Sequence, residues 1–205
     1  MTTSAARHWL WVDVETTGLG YDPDQPARNR DDVILEIAAI ITTPDLQEVS
    51  SFGPFAIAAR QSDLDLMGDY VRDMHTRTGL LDRVTSSAAY SLDTVQDGMA
   101  SWMQEHGLTE RVILAGSSVK FDFDFLRRHM PRVFSRLGYR VIDVSSFKEA
   151  LRDWAPAVVA ELEGIKNPSH EAMDDIRWSV RELDFYRRAL GVDQAATDEP
   201  ESGTA

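Results

Sequence analysis

Asp13 and Glu15 stand two residues apart at the end of an apolar stretch, Trp9-Leu10-Trp11-Val12, and a strand's period of two points both carboxylates from one face. Such a pair is costly to bury alone and suits a hard, oxygen-seeking cation, Mg²⁺ or Mn²⁺. With 34 acidic residues in 205, about five or six i, i+2 acidic pairs arise by chance, so the motif takes its weight from the core-type strand that carries it. Asp122 follows a second apolar segment and opens a helix, where the helix dipole alone also favours an aspartate, and Asp124 competes for that role. His170 and Asp175 are five residues apart, a separation of about 140° on a continuous helix. To serve one site, His170 must sit in the loop after Pro168-Ser169 and Asp175 in an early helical turn. Otherwise His170 is a surface histidine near a helix start, with Asp174 the exposed neighbour. Four carboxylates balance two divalent cations, and a histidine with an ordinary pKa of about 6.5 can take a proton from water. That is the equipment for hydrolysing a phosphodiester, which needs a deprotonated water and compensation of charge on the nonbridging and leaving oxygens.

The elements that must position these residues are legible in outline. Residues 8–14 and 33–43 read as strands, rich in β-branched and aromatic side chains, and 50–59 reads as a third after a Pro44-Asp45 turn, an antiparallel meander. Helices are expected at 64–74 and 91–106, the latter with Leu92, Val95, Met99, Trp102 and Met103 on one face and Gly107 at its end. A short strand at 111–116 leads into a helix at 121–130, and a strand at 139–144 leads into a helix at 145–154. The last helix runs from His170 or slightly later to Leu190, with Met173, Ile176, Val180, Leu183 and Leu190 along one stripe. The polar segment 18–32 reads as a surface loop beside the first strand. The domain is expected to be α/β with a mixed sheet, three antiparallel strands extended by two that alternate with helices.

Composition bounds the function classes. A chain of 205 residues suits one domain, and the absence of cysteine excludes disulfides, thiolate zinc sites and cysteine nucleophiles. A formal charge of −13 argues against a protein that tracks long nucleic acid, yet leaves room for a small phosphorylated ligand held by metals or a local cationic pocket. The 18 arginines to 3 lysines fit bidentate phosphate recognition and a compositional bias equally well. Residues 1–7 lack the apolar core of a signal peptide and the longest apolar run, 33–41, is broken by Glu36, so a soluble cytoplasmic protein with no membrane association is expected. A flexible N-terminus at 1–7, a catalytic domain at 8–190 and a disordered acidic tail at 191–205 complete the expected organisation.

Asp13-Val14-Glu15, then Phe121-Asp122, then His170 with Asp175 resemble the three-motif signature of the DEDDh 3′-to-5′ exonucleases, on a ribonuclease H-like fold. Longer stretches, Trp11 with its neighbours through Leu19, Met74 through Leu80, Tyr139 through Ser145 and His170 through Arg177, resemble the oligoribonuclease family within that group, and the likeness runs over 8–190. The resemblance implies hydrolysis of short oligoribonucleotides, especially dinucleotides, to 5′-mononucleotides with two divalent cations, Mg²⁺ or Mn²⁺. It implies that Asp13 bridges both cations, Glu15 and Asp175 complete the one beside the attacking water, Asp122 supports the second, and His170 is the general base. Leu19 resembles a wedge between the two bases, and His75 a residue lining the substrate groove. Ser118, Arg140 and Ser145 resemble a cap on the substrate's 5′ phosphate, and Tyr139 a residue donated across a homodimer interface. The sequence departs from the pattern in its longer loop at 21–32, in Ser117 for Asn, in Tyr70 for a groove tryptophan, and in Lys120-Phe121 before the aspartate. Two other readings stay open: a related exonuclease acting on DNA 3′ ends or structured RNA tails, and an inactive nuclease-fold binding module. A capped groove disfavours the first, and four converging carboxylates, which repel phosphate, disfavour the second.

Overall fold

The computed structural model describes residues 7–20, 32–163 and 171–191. His170, the loop at 21–31, the first six residues and the tail from 192 onward lie outside the described residues, and with them the expectations attached to those segments.

A wholly buried apolar segment, β2 (Ile34–Thr42), forms the spine of a five-stranded sheet. Both faces of β2 are covered, which is why its sequence is almost continuously apolar rather than alternating. It pairs antiparallel with β1 (Trp9–Thr16) on one side and with β3 (Glu48–Ala56) on the other. Two parallel strands, β4 (Val112–Gly116) and β5 (Leu137–Asp143), extend the sheet beyond β1, giving the order β3-β2-β1-β4-β5. This is the mixed sheet expected of a ribonuclease H-like fold.

Alternation along β1 sorts its side chains into two layers. Leu10, Val12 and Val14 pack with Met99 and Met103 of α4 (Leu92–Glu105) and with Phe125 and Leu126 of α5 (Lys120–His129). Trp11 points the other way, into the layer of α7 (Val144–Trp154), α8 (Pro156–Glu163) and α9 (Ala172–Ala189), packing with Val144, Leu151, Val159, Ile176 and Tyr186. By the same period of two, Asp13 and Glu15 leave the sheet on the face that α9 covers.

The helix expected at 64–74 is two: α1 (Gln61–Leu64) stops, the chain turns through Met67 and Gly68, and α2 (Asp69–Arg77) begins with Gly68 as an extended N-cap. A third short helix, α3 (Leu80–Thr85), follows and seats Leu80 and Val84 against Leu35 of β2, with Leu64 and Met67 completing a separate small core. The four-residue α6 (Pro131–Phe134), with proline in its first turn, and α8 were not foreseen either, since such short segments carry too few turns to show a period. On α9 the stripe holds through Met173, Ile176 and Leu183, but Leu190 falls at the C-cap and is 56% exposed.

Candidate active site

Three carboxylates from two elements converge at the C-terminal end of β1. One oxygen each of Asp13, Glu15 and Asp175 lies within 4.8 Å of the other two, an arrangement able to hold a metal ion. Asp175 reaches them because α9 starts at Ala172, with Glu171 as its N-cap accepting from the Asp174 and Asp175 amides, so that Asp175 occupies the first turn.

Asp122 arrives from the opposite layer. Strand β4 pairs with β1 only as far as Trp11 and Ala115, so the β1 edge beyond is open, and the Val14 N–H donates to Asp122 Oδ1 at 3.0 Å. The carboxylate is buried, 3% exposed, in the first turn of α5. The turn that launches α5 needs Ser118 at φ 55, a left-handed conformation beside the site.

Charge is crowded here. Burial, followed by the negative charges of Asp175 and Glu36, pushes the Asp13 carboxyl up to about 7. Burial, then Asp13, Asp175 and Glu36, pushes Glu15 up to about 8, against a smaller pull from Arg83. Asp122 is raised well above the carboxylate range by burial and by Asp13, despite the hydrogen bond from Val14. Groups that resist ionising because of each other and of burial are relieved by a cation at their centre, so this donor set of carboxylate oxygens fits a hard divalent ion.

His75, from α2, is fully buried; its Nε2–H donates to the Thr16 carbonyl at 2.9 Å, which turns Nδ1 to within 3.9 Å of Glu15 Oε2. It supports the end of β1 from beneath the carboxylates, whereas Tyr70, at the start of the same helix, is 72% exposed.

Leu19 stands 73% exposed at the tip of the turn after β1. The turn is held by Asp32, whose carboxylate accepts from the Thr17 hydroxyl at 3.0 Å and from the Gly20 N–H at 2.9 Å. A Cβ at Gly18 would come within 2.7 Å of Asp32 Oδ1, and Gly20 sits at φ +66, so both glycines are required by the turn.

Leu19 shares a cleft of about 580 Å³ with Ser118, Phe121, Phe125, Asp143 and Ser145. Inside it Asp143 caps α7, and the Ser145 hydroxyl donates to its Oδ1 at 2.6 Å while the Ser118 N–H reaches the same oxygen at 3.0 Å. Burial raises the Asp143 carboxyl, but hydrogen bonds from Ser145, Ser146 and Ser118 outweigh it and leave the group below the ordinary range. Tyr139 and Arg140 face elsewhere. The Arg140 guanidinium lies 4.9 Å from the Tyr139 ring centroid, and both line a second cleft with Arg7, His8 and Arg111, at the sheet-edge strand β5. The structure therefore groups Asp13, Glu15 and Asp175, sets Asp122 beside them, and keeps Arg140 apart from Ser118 and Ser145.

Sequence reasoning passed over Asp32, Asp143 and Glu36. Glu36 registered only as a break in an apolar run, although a carboxylate inside a wholly buried strand is itself a signal. Directly across the β1–β2 ladder from Glu15, it is 2% exposed and paired with Arg83 at 2.7 Å.

The exonuclease (RNase_T) family model matches residues 10–183. The chain is 38% identical over 197 residues to an oligoribonuclease of Corynebacterium diphtheriae, spanning 96% of this chain and 89% of that one. It is 38% identical over 190 residues to an oligoribonuclease of Aeromonas hydrophila, spanning 90% and 96%. Among solved structures, an exonuclease I from Methylocaldum szegediense superposes with a TM-score of 0.63 at 17% identity, over 89% of this chain and 40% of that one. A zinc-bound complex of E. coli exonuclease I with single-stranded DNA superposes with a TM-score of 0.58 at 14% identity, over 89% and 41%. At such identities the solved structures establish the fold. Fold and site together define a 3′-to-5′ exonuclease, an enzyme that hydrolyses nucleic acid. Within that class, the chain belongs to the oligoribonuclease family.

Proposed function

We propose that the enzyme clears very short RNA, dinucleotides above all, to 5′-mononucleotides with two divalent cations, Mg²⁺ or Mn²⁺, and His170 as general base. The observation that carries the chemistry is the convergence of Asp13, Glu15 and Asp175 within 4.8 Å, with buried Asp122 bonded to the same strand. Asp13, Glu15 and Asp175 would hold one ion, and Asp122 with Asp13 would hold the second. When bound, the cations neutralise charge on the scissile phosphate and make water easier to deprotonate. His170, five residues before Asp175 in the sequence, would take the proton of the attacking water.

The short substrate is supported by the cleft. Leu19 offers an exposed apolar edge on which a base can pack, and the Ser118 hydroxyl can donate to a terminal 5′ phosphate. The Ser145 hydroxyl is turned toward Asp143 and must rotate to do the same. Arg140 lines a different cleft, so it reaches that phosphate from a second subunit, together with Tyr139, across a homodimer built on the edge strand β5. His75 acts on the groove through Glu15 and Thr16 rather than by lining it. A closed cap of this kind favours two nucleotides over long chains, and the net charge of −13 disfavours extended binding. Among the described residues no helix is long and apolar enough to cross a membrane, and we assign the enzyme to the cytoplasm, where a chain without cysteine is at home.

The test is digestion of end-labelled RNA of two to about ten nucleotides, with and without Mg²⁺, by wild type and by the Asp13→Ala and His170→Ala variants. Dinucleotide should disappear fastest and only with metal; Asp13→Ala should be inactive, and His170→Ala slowed by about 10²–10⁴-fold. Faster loss of long RNA or of DNA would overturn the substrate, and undiminished His170→Ala activity would remove the base.

A further inference from the structure

Glu36 lies opposite Glu15 in the β1–β2 ladder, on the face that carries Asp13. Carboxylates placed directly across an antiparallel pair repel, and their Cβ atoms are only about 4.5–5.5 Å apart. Yet Glu36 is absent from the group whose oxygens close to within 4.8 Å, although its place on the sheet brings it to the group's edge. What removes it is Arg83: one terminal nitrogen donates to Glu36 Oε2 at 2.7 Å, and the other to the Thr78 carbonyl at 3.0 Å. Thr78 is the C-cap of α2, the helix that holds Thr16 through His75. One guanidinium thus ties a fifth acid to the α2–α3 corner and away from the site.

Stability alone does not account for a carboxylate at this place, since Glu36 is buried while Arg83 is partly exposed, and a well-packed apolar residue in the strand often serves as well. We propose that Arg83 and Glu36 are a positioning pair that insulates the metal centre. Arg83 keeps Glu36 from acting as a rival ligand, and the fixed Glu36 charge presses Glu15 toward Asp13 and Asp175. The proposal rests on the metal-dependent reading of this site.

Removing the guanidinium alone leaves Glu36 free to draw a cation out of place. Arg83→Gln should therefore bind Mn²⁺ as tightly as wild type or tighter, while kcat falls by about 10–100-fold, the usual effect of losing a partner that orients metal ligands, and KM stays close to its original value. Glu36→Gln leaves an unpaired cation beside the site and should weaken Mn²⁺ binding. The double variant, Arg83→Gln with Glu36→Gln, restores neutrality and should recover most of kcat. Arg83→Lys, which keeps the charge without the fork, should fall between wild type and Arg83→Gln. Binding is read from the paramagnetic resonance of free Mn²⁺, turnover on whichever oligonucleotide wild type degrades best, and folding from thermal denaturation. Parallel loss of binding and turnover in Arg83→Gln, or a double variant no better than that single one, reduces the pair to structural support and overturns the proposal. If wild type itself bound no Mn²⁺, the underlying metal reading would fail instead.

Discussion

Burial and mutual repulsion lift the carboxyls of Asp13 and Glu15 to about 7 and about 8, far above their values in an unfolded chain. An acid that holds its proton more tightly when folded stabilises the fold below the ordinary carboxylate range, and that contribution disappears as pH rises through the folded-state value. In a chelator, Tm should therefore fall between about pH 4 and pH 8 on account of these two groups. Added Mg²⁺ or Mn²⁺ binds the ionised form, so it should raise Tm far more at pH 8 than at pH 5, which calorimetry across that range would measure. An equal rise at both pH values would mean that these carboxylates are not where the ion binds.

Among the elements, α9 couples packing to chemistry most directly, because Asp175 in its first turn is followed by Ile176, 2% exposed in the layer beneath Trp11. Ile176→Ala should cost about 2–5 kcal/mol in urea denaturation and lower turnover as well, since the helix that settles carries Asp175 with it. The stripe on α9, the apolar run of β2 and the strand pair Asp13 and Glu15 were legible in the sequence because period and burial speak through residue type. The α1–α3 corner was not, since its helices are too short for a period and its placement depends on Arg83, Glu36 and Thr78, which meet only after folding. Asp32 was hidden for the same reason: its partners Thr17 and Gly20 lie across a long loop, and an aspartate in a polar segment of an acidic chain looks ordinary. Arg140 is grouped with Ser118 and Ser145 by their resemblance to a 5′-phosphate cap, whereas within one chain two different clefts separate them in space.

At the scale of the whole molecule, the edge strand β5 presents Tyr139, 81% exposed, beside Val141, 42% exposed. An edge strand not paired further among the described residues invites pairing, and a second copy is the partner that would bring Tyr139 and Arg140 to the Leu19 cleft of its neighbour. Sedimentation should show a dimer. If the proposed dimer holds, Asp13→Ala and Tyr139→Ala, each weak or inactive alone, should regain activity when coexpressed, because a mixed dimer would combine one intact set of the four carboxylates with an intact Tyr139 from the other subunit. No gain on coexpression would mean that each chain works with its own residues only.

The bond from the Val14 amide to Asp122 has a further consequence. Every neighbouring proton in β1 that is held by strand pairing is released only when the sheet opens, whereas this one is guarded by a side chain borrowed from α5. Its isotope exchange therefore keeps time for the undocking of that helix, a built-in clock for the moment when Asp122 parts from the strand that carries Asp13 and Glu15.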